Sequence, residues 1–119
     1  MTDTAERVDA FFETYRDALL ARDAAAVAHQ YAVPSLILFP GQSISVSDLS
    51  QTEAFFAASW GQYEGVESMD STRHIVAESA HSVWVDVTWA YNGAPREHFI
   101  YQLSDEDGTY RIAVLTPMS

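Results

Sequence analysis

Cysteine and lysine are both missing from the 119-residue sequence. Without cysteine the chain forms no disulfide, thiolate nucleophile, Cys-ligated zinc site or iron–sulfur cluster. All six basic residues are arginine, and 17 acidic residues leave a net charge of −11. A field of this sign repels phosphate backbones and anionic lipids, so we expect neither nucleic acid nor a membrane surface as a partner.

Long apolar runs are missing as well. No stretch approaches the roughly 18 uninterrupted apolar residues that span a bilayer. The start of the sequence, residues 1–7, lacks the basic segment and apolar run of a signal peptide, so we expect a cytoplasmic protein. The apolar fraction of 48 % and the charged fraction of 19 % are typical of globular chains. This length predicts a single domain over residues 1–119.

The first half of the sequence is mainly helical in its periodicity. The apolar residues of the opening segment recur at helical spacing: Val8, Phe11, Phe12, Tyr15, Ala18 and Leu19. Asp3, Asp23 and Asp48 are each placed to cap a helix. We interpret Pro34 as the end of the second helix and Gly65 as the end of the third.

Strand patterns fill the rest of the sequence. A short apolar strand at 35–39 precedes a turn at Pro40-Gly41, and the alternation of Ile44 and Val46 with serines in residues 43–47 predicts a second short strand. Four further strands are predicted at 67–79, 81–91, 96–104 and 109–116. Asn92-Gly93 and Asp107-Gly108 are tight-turn dipeptides that predict hairpins between the last three. The order α-α-β-β-α-β-β-β-β predicts an α+β fold, with three N-terminal helices packed on a curved, mostly antiparallel sheet.

Large apolar residues occur on both faces of the predicted sheet. In strand 82–91 one face carries Val83, Val85, Val87 and Trp89, and the other carries Trp84, Asp86, Thr88 and Ala90. A sheet covered on one side only is polar on the other. We therefore expect a second covering layer, for which another copy of the chain is the simplest source. The alternative is a scatter of exposed aromatic residues, which is normal on protein surfaces.

The order of elements resembles the NTF2-like superfamily, which includes ketosteroid isomerases and SnoaL-like polyketide cyclases. The resemblance covers nearly the whole chain and is carried by several short motifs: Tyr15 in the opening helix, Arg22-Asp23-Ala24, Tyr31-Ala32, Phe39-Pro40-Gly41, the Asn92-Gly93 hairpin and Gly108-Thr109-Tyr110-Arg111-Ile112. It implies a cone with a pocket between the first helix and the inner face of the sheet. It also implies a homodimer through the outer face, where we expect Trp84, Phe99 and Tyr101.

The catalytic groups of ketosteroid isomerases carry over only in part. Tyr15 matches the tyrosine that holds the developing oxyanion. The carboxylate that moves the proton falls on Phe39, and the oxyanion acid, counted back from Gly108, falls on Ile100. Because phenyl and alkyl side chains exchange no protons, we do not expect the isomerase mechanism.

Two polar side chains are nevertheless candidates for chemistry. The phenol of Tyr15 can donate a hydrogen bond to a carbonyl or an oxyanion. His98 lies two residues before Ile100 and shares its face, so the resemblance places it in the pocket as a general base. The alternative is that both are structural core residues. Asp86 falls on the other face from His98, and we interpret it as an interface or surface residue.

A small apolar or aromatic molecule is the partner these residues favour. The expected ligand-contacting residues are Phe39, Phe56, Trp60, Tyr63, Val87, Trp89 and Ile100. We expect no cofactor and no metal, because phosphate-binding and dinucleotide motifs are missing and the four histidines lack metal-ligand spacing. Two functions follow: a pocket protein with cofactor-independent acid/base chemistry of the isomerase, cyclase or dehydratase type, or a non-catalytic homodimeric binding module with a closed core.

Overall fold

The computed structural model describes residues 3–39 and 41–118, and of Phe39 it describes the backbone alone. The helices are α1 Thr4–Leu20, α2 Ala24–Ala28 and α3 Leu49–Ala57, followed by a short 3-10 helix, Trp60–Tyr63. The strands are β1 Tyr31–Phe39, β2 Gln42–Val46, β3 Met69–Glu78, β4 Ser82–Tyr91, β5 Ala94–Glu106 and β6 Thr109–Pro117. None of the helices in the described residues has the length and apolar character to cross a membrane.

Aspartate begins each of the three α-helices, as the sequence predicts. The carboxylate of Asp3 accepts a hydrogen bond from the backbone N–H of Glu6 at 2.8 Å. Asp23 and Asp48 cap α2 and α3 in the same way, and at Asp48 the Gln51 side chain completes a capping box. These bonds satisfy N–H groups that the first turn of a helix leaves without partners.

Two helix ends differ from prediction. α2 ends at Ala28, and Pro34 lies inside β1, because the chain after Ala28 turns early to pair with β6. The backbone carbonyl of Gln30 already accepts from the N–H of Ile112 at 2.8 Å. α3 ends at Ala57, so the segment before Gly65 continues as the separate 3-10 helix and not as one helix.

Six strands form one curved sheet in the order β2-β1-β6-β5-β4-β3. Every neighbouring pair is antiparallel except β1 and β6. Both predicted hairpins are present, with positive φ at Asn92, Gly93, Asp107 and Gly108 as type I′ turns require. The architecture confirms the predicted α+β fold.

The inner face of the sheet is the face that α1 covers. On β4 the predicted alternation is correct: Val83, Val85, Val87 and Trp89 are buried, and the residues between them are half-buried on the outer face. From α1, the ring of Phe12 packs edge-on against Tyr101 on β5 at 5.1 Å. The core therefore lies between α1 and the inner face.

A β-bulge interrupts the pairing of β5 with β4. Trp89 pairs with Glu97 while Ala90 pairs with Pro95, so Arg96 is an extra residue in β5. A two-residue hairpin turn at Asn92-Gly93 without this insertion would place His98 and Ile100 on the inner face. One inserted residue sends every later side chain of the strand to the opposite face.

Four residues of β5 lie on the face opposite to the predicted one. Phe99 pairs with Val87 and Tyr101 pairs with Val85, so both lie on the inner face and not on the outer one. His98 and Ile100 lie on the outer face and not in the pocket. The match of Ile100 to the oxyanion acid is counted back from Gly108 and does not cross the bulge; the structure places Tyr101, and not Ile100, on the inner face there.

Candidate functional site

A small cavity lies between α1 and the inner face of the sheet. Its volume is about 40 Å³, room for roughly three water molecules at about 10–15 Å³ each. Its walls are mainly aromatic and aliphatic. The polar lining groups are Gln62, Glu97 and the hydroxyls of Tyr15, Tyr63, Tyr91 and Tyr101. Known ligand pockets are about 300–1,000 Å³, so a ligand of that class must widen the cavity.

A larger hollow lies next to the cavity and shares part of its lining. We call it the vestibule; it measures about 220 Å³ and is lined by Gln62, Tyr63, Tyr91, Arg96 and Glu97. Four of these residues also line the cavity. The vestibule is polar where the cavity is apolar, so the site combines an aromatic interior with a charged rim.

Tyr15 and Tyr31 form a buried hydroxyl pair. Their oxygens are 2.7 Å apart, and both side chains are almost wholly buried. Burial, followed by the neighbouring tyrosines, raises the pKa of both phenols, so both remain protonated. One proton joins the two oxygens, and the other has no acceptor among the described residues. Either hydroxyl can donate to the other, and the one that accepts keeps its own proton for a further acceptor.

Tyr101, next to Tyr15, also accepts a hydrogen bond at its hydroxyl oxygen. Trp89 donates its indole N–H to the Tyr101 hydroxyl oxygen at 2.9 Å. The indole is a donor only, so the Tyr101 proton is not used in this bond. Burial, then the nearby Tyr15, raises the pKa of Tyr101. The rings of Tyr15 and Tyr101 are 6.2 Å apart, and both residues line the same cavity.

Glu97 is the functional candidate that the sequence reasoning missed. Its carboxylate is the one acidic group lining the cavity among the described residues, and it accepts a hydrogen bond from the Tyr91 hydroxyl. Burial, Tyr63 and Glu97 together raise the pKa of Tyr91. Burial, then the negative charge of Glu97, raises the pKa of Tyr63 to about 12. A carboxylate in this position can accept a proton from a bound molecule.

The predicted pocket residues divide into two groups. Tyr15, Phe56, Tyr63 and Trp89 line the cavity. Val87 is fully buried behind the lining, and Trp60 packs against Tyr63 at 5.8 Å without lining the cavity. The side chain of Phe39 lies outside the described part of the chain.

His98 lies away from the cavity, in contrast to its predicted role there. Its Nε2 is 2.7 Å from Oδ1 of Asp86 on the outer face, where both side chains are partly exposed. Asp86 is a surface residue as predicted, but it shares the face of His98. Trp84 also lies on this face, and His74 is the cross-strand partner of Asp86. The described residues contain no group of three or more His, Asp or Glu side chains arranged to hold a metal ion.

Solved structures resemble this fold over nearly its whole length. An NTF-2 like protein of unknown function from Shewanella oneidensis MR-1 has a TM-score of 0.80 and 13 % identity, covering 98 % of this chain and 100 % of its own. A ketosteroid isomerase-like protein from Erwinia carotovora atroseptica has a TM-score of 0.70 and 16 % identity, covering 100 % and 99 %. A domain with a cystatin-like fold from Nostoc punctiforme has a TM-score of 0.69 and 13 % identity, covering 98 % and 78 %.

These identities establish the fold and not the activity. No curated protein matches the chain at a significant level. The profile of the family described as NTF2-like protein (DUF6841) matches residues 5–119. The match spans almost the entire sequence and agrees with the helices and the curved sheet of the structure. The chain therefore belongs to the NTF2-like protein family DUF6841.

Proposed function

We propose that the protein binds a small, mostly apolar carbonyl compound in the cavity and moves a proton on the carbon beside the carbonyl group. The observation that carries the proposal is the meeting of two tyrosines, Tyr15 and Tyr101, with one carboxylate, Glu97, in the lining of a single aromatic cavity. In the proposed arrangement Tyr31 donates to Tyr15, so that the hydroxyls of Tyr15 and Tyr101 both donate to the ligand. The fold neighbour described as ketosteroid isomerase-like gives further support.

The two hydroxyls suit a carbonyl oxygen that gains negative charge. Their raised pKa values keep them protonated, so both remain donors at any physiological pH. Donors already in place in a water-poor cavity stabilise an enolate oxygen more than the neutral ketone oxygen. Tyr15 keeps the role that the sequence predicts for it, and Tyr101 is a second donor.

Glu97 takes the place that the sequence assigned to His98. In the proposed step its carboxylate removes a proton from the carbon next to the carbonyl, and the electron pair of that C–H bond moves into the enolate. The protonated Glu97 then returns the proton to the same or to a neighbouring carbon. Isomerisation, ring closure and elimination all begin with this step, and none of them needs a cofactor.

Ligand entry requires the lining to move, because the cavity holds only about 40 Å³. The half-buried rings of Phe55 and Phe99 lie in the lining, and the short 3-10 helix contributes Gln62 and Tyr63. We propose that displacement of these groups joins the cavity to the vestibule. A ligand with one or two rings is the size that this site favours.

A matched pair of probes tests the proposal. 1-Tetralone carries a ketone on a two-ring frame, and tetralin has the same frame without the ketone. We expect 1-tetralone to raise the melting temperature more than tetralin. In D₂O we expect the protein to accelerate the exchange of the hydrogens beside the ketone, followed by proton NMR.

Variants assign the roles. Glu97→Gln keeps an acceptor for Tyr91 and should slow the exchange by about 10²-fold or more, in the range of general base catalysis. Tyr15→Phe should weaken the selectivity for 1-tetralone over tetralin. His98→Gln, one residue away on the outer face, is the matched control and should change neither. If the wild type neither binds 1-tetralone selectively nor accelerates exchange, the closed, non-catalytic core becomes the better description.

A further inference from the structure

The bulge in β5 gives the vestibule its positive charge. Arg96 is the inserted residue, and its guanidinium carbon lies 5.6 Å from the ring centre of Tyr91, an inner-face residue. In a bulge, two consecutive residues lie opposite one residue of the partner strand. Arg96 and Glu97 are those two residues, and both line the vestibule. An arginine that regular alternation would place on the face opposite Glu97 therefore lies beside it in the vestibule.

Arg96 also differs from the other arginines in its partners. Four of them pair with a carboxylate at 3.2–3.6 Å: Arg7, Arg16, Arg73 and Arg111. Arg22 donates to the backbone carbonyls of Leu20, Tyr63 and Val66. Arg96 has neither kind of partner among residues 3–39 and 41–118, and its one described contact is with the face of Tyr91. Its five N–H donors are available to a ligand.

We propose that Arg96 selects a ligand whose outer end carries a carboxylate, which makes the substrate class a small aryl or alicyclic oxo acid. The proposal rests on the proposed function, with the ketone at Tyr15 and Tyr101 and the carboxylate at Arg96. A planar guanidinium binds a carboxylate through two parallel hydrogen bonds. In a chain of net charge −11, an anion gains affinity only where such a local cation meets it.

The two hollows set the direction in which such a molecule lies. Tyr101 lines the cavity and Arg96 lines the vestibule, so the ketone lies inside and the carboxylate outside. Glu97, between them, already receives the Tyr91 hydroxyl, so the negative end of the ligand belongs on the Arg96 side.

Three related probes test this inference by calorimetric or NMR titration. 4-Oxo-4-phenylbutanoate carries both groups, its methyl ester lacks the charge, and 4-phenylbutanoate lacks the ketone. We expect the oxo acid to bind about fivefold more tightly than the ester, the size of an exposed charge pair. That preference should shrink as salt rises, because the pair is accessible to counterions.

Two variants that each remove one positive charge distinguish a specific contact with Arg96 from a general effect of the net charge. Arg96→Gln should abolish the preference for the acid over the ester. Arg16→Gln removes the same charge from the exposed side of α1 and should keep it. Circular dichroism verifies that both variants are folded.

The outcomes distinguish this inference from the proposed function. If the oxo acid and the ester bind equally well, and both bind better than 4-phenylbutanoate, the role of Arg96 is wrong while the ketone site stands. The role is also wrong if Arg96→Gln keeps the preference. If none of the three probes binds, the proposed function fails together with this inference.

Discussion

The two faces of the sheet hold their polar groups in different ways. On the inner face the polar groups are buried and bonded in pairs, as in Tyr15 with Tyr31 and Trp89 with Tyr101. On the outer face His98 pairs with Asp86 while both stay partly exposed. A buried group that gains a charge or loses a hydrogen bond has no water to solvate it, so the change costs free energy. At an exposed group water solvates the charge, and the same change costs little. The same strands therefore carry the buried polar lining of a cavity on one side and a partly exposed surface on the other.

Glu97 and His98 make the contrast sharp, because they are neighbours in the sequence. The bulge at Arg96 directs Glu97 towards the cavity and His98 away from it. Histidine is the more usual general base near neutral pH, and the sequence alone favours it. Because a base acts only where it reaches a bound molecule, the proposed function uses Glu97 and not His98.

The largest expected effect is alkaline unfolding, which depends on the inner face. All six tyrosines are buried on this side, and each has a raised pKa, first of all because of burial. Above about pH 10 the unfolded chain releases protons that the folded chain retains, so stability is complete below that pH and falls above it. The pKa of Tyr63 is raised to about 12. Between pH 10 and pH 12 this one shift lowers the free energy of unfolding by roughly 3 kcal/mol.

Phenolate absorbance and circular dichroism, followed together from neutral pH upward, check this expectation. We expect phenolate to appear in step with the loss of secondary structure, and near pH 10 in the urea-unfolded chain. Phenolate formation near pH 10 in a chain that keeps its dichroism would contradict the buried placement of these hydroxyls.

Two tryptophans on β4 compare the faces directly. Trp89 is 1 % exposed on the inner face, and Trp84 is half-buried on the outer face. We expect Trp89→Ala to cost about 3–5 kcal/mol, because it leaves a cavity and removes the donor to Tyr101. Trp84→Ala should cost roughly 1 kcal/mol. Urea unfolding measures both, with Trp89→Phe as a milder inner-face variant that retains most of the ring volume.

Protein concentration adds a second test to this pair. The predicted homodimer through the outer face would bury Trp84, so its replacement would then cost more at high concentration than at low. An equal cost for both tryptophans at every concentration would contradict the distinction between the faces.

Local signals in the sequence were enough for most of the fold. The alternation along β4, the caps at Asp3, Asp23 and Asp48, and the Asn-Gly and Asp-Gly turns each depend on a few neighbouring residues. Their physical causes are equally local: side-chain period, unsatisfied helix N–H groups and positive φ.

The site itself depends on long-range pairing, which those signals do not contain. The bulge at Arg96 reverses the face of every later residue of β5, and no local motif marks it. A usable signal was present in the strand itself. Phe99, Tyr101 and Leu103 form the more apolar alternating set, which is the set expected to face a core. Glu97 belongs to that set, and a charged residue in it is a reason to suspect a site.

A smaller change in stability is expected at Thr52, whose hydroxyl is buried. Thr52 on α3 is fully buried, and its hydroxyl has no hydrogen-bond partner in the described part of the chain. Thr52→Val replaces that hydroxyl with a methyl group of similar shape and should stabilise the fold by about 1 kcal/mol. Thr88→Val on the outer face of β4 is the matched control, with an expected change within about 0.5 kcal/mol. A loss of stability at Thr52 would mean that a water or a ligand satisfies its hydroxyl.

The smallest expected effect is at the pair of His98 and Asp86. Their 2.7 Å contact looks strong, but the side chains are 41 % and 35 % exposed, so water compensates for most of what either group would lose. We expect His98→Gln, Asp86→Asn and the double variant each to lower the free energy of unfolding by about 1 kcal/mol or less, with a small coupling energy in the double-mutant cycle. Urea titrations at two protein concentrations measure this. A coupling energy well above about 1 kcal/mol that grows with concentration would mean that a second copy of the chain covers this face.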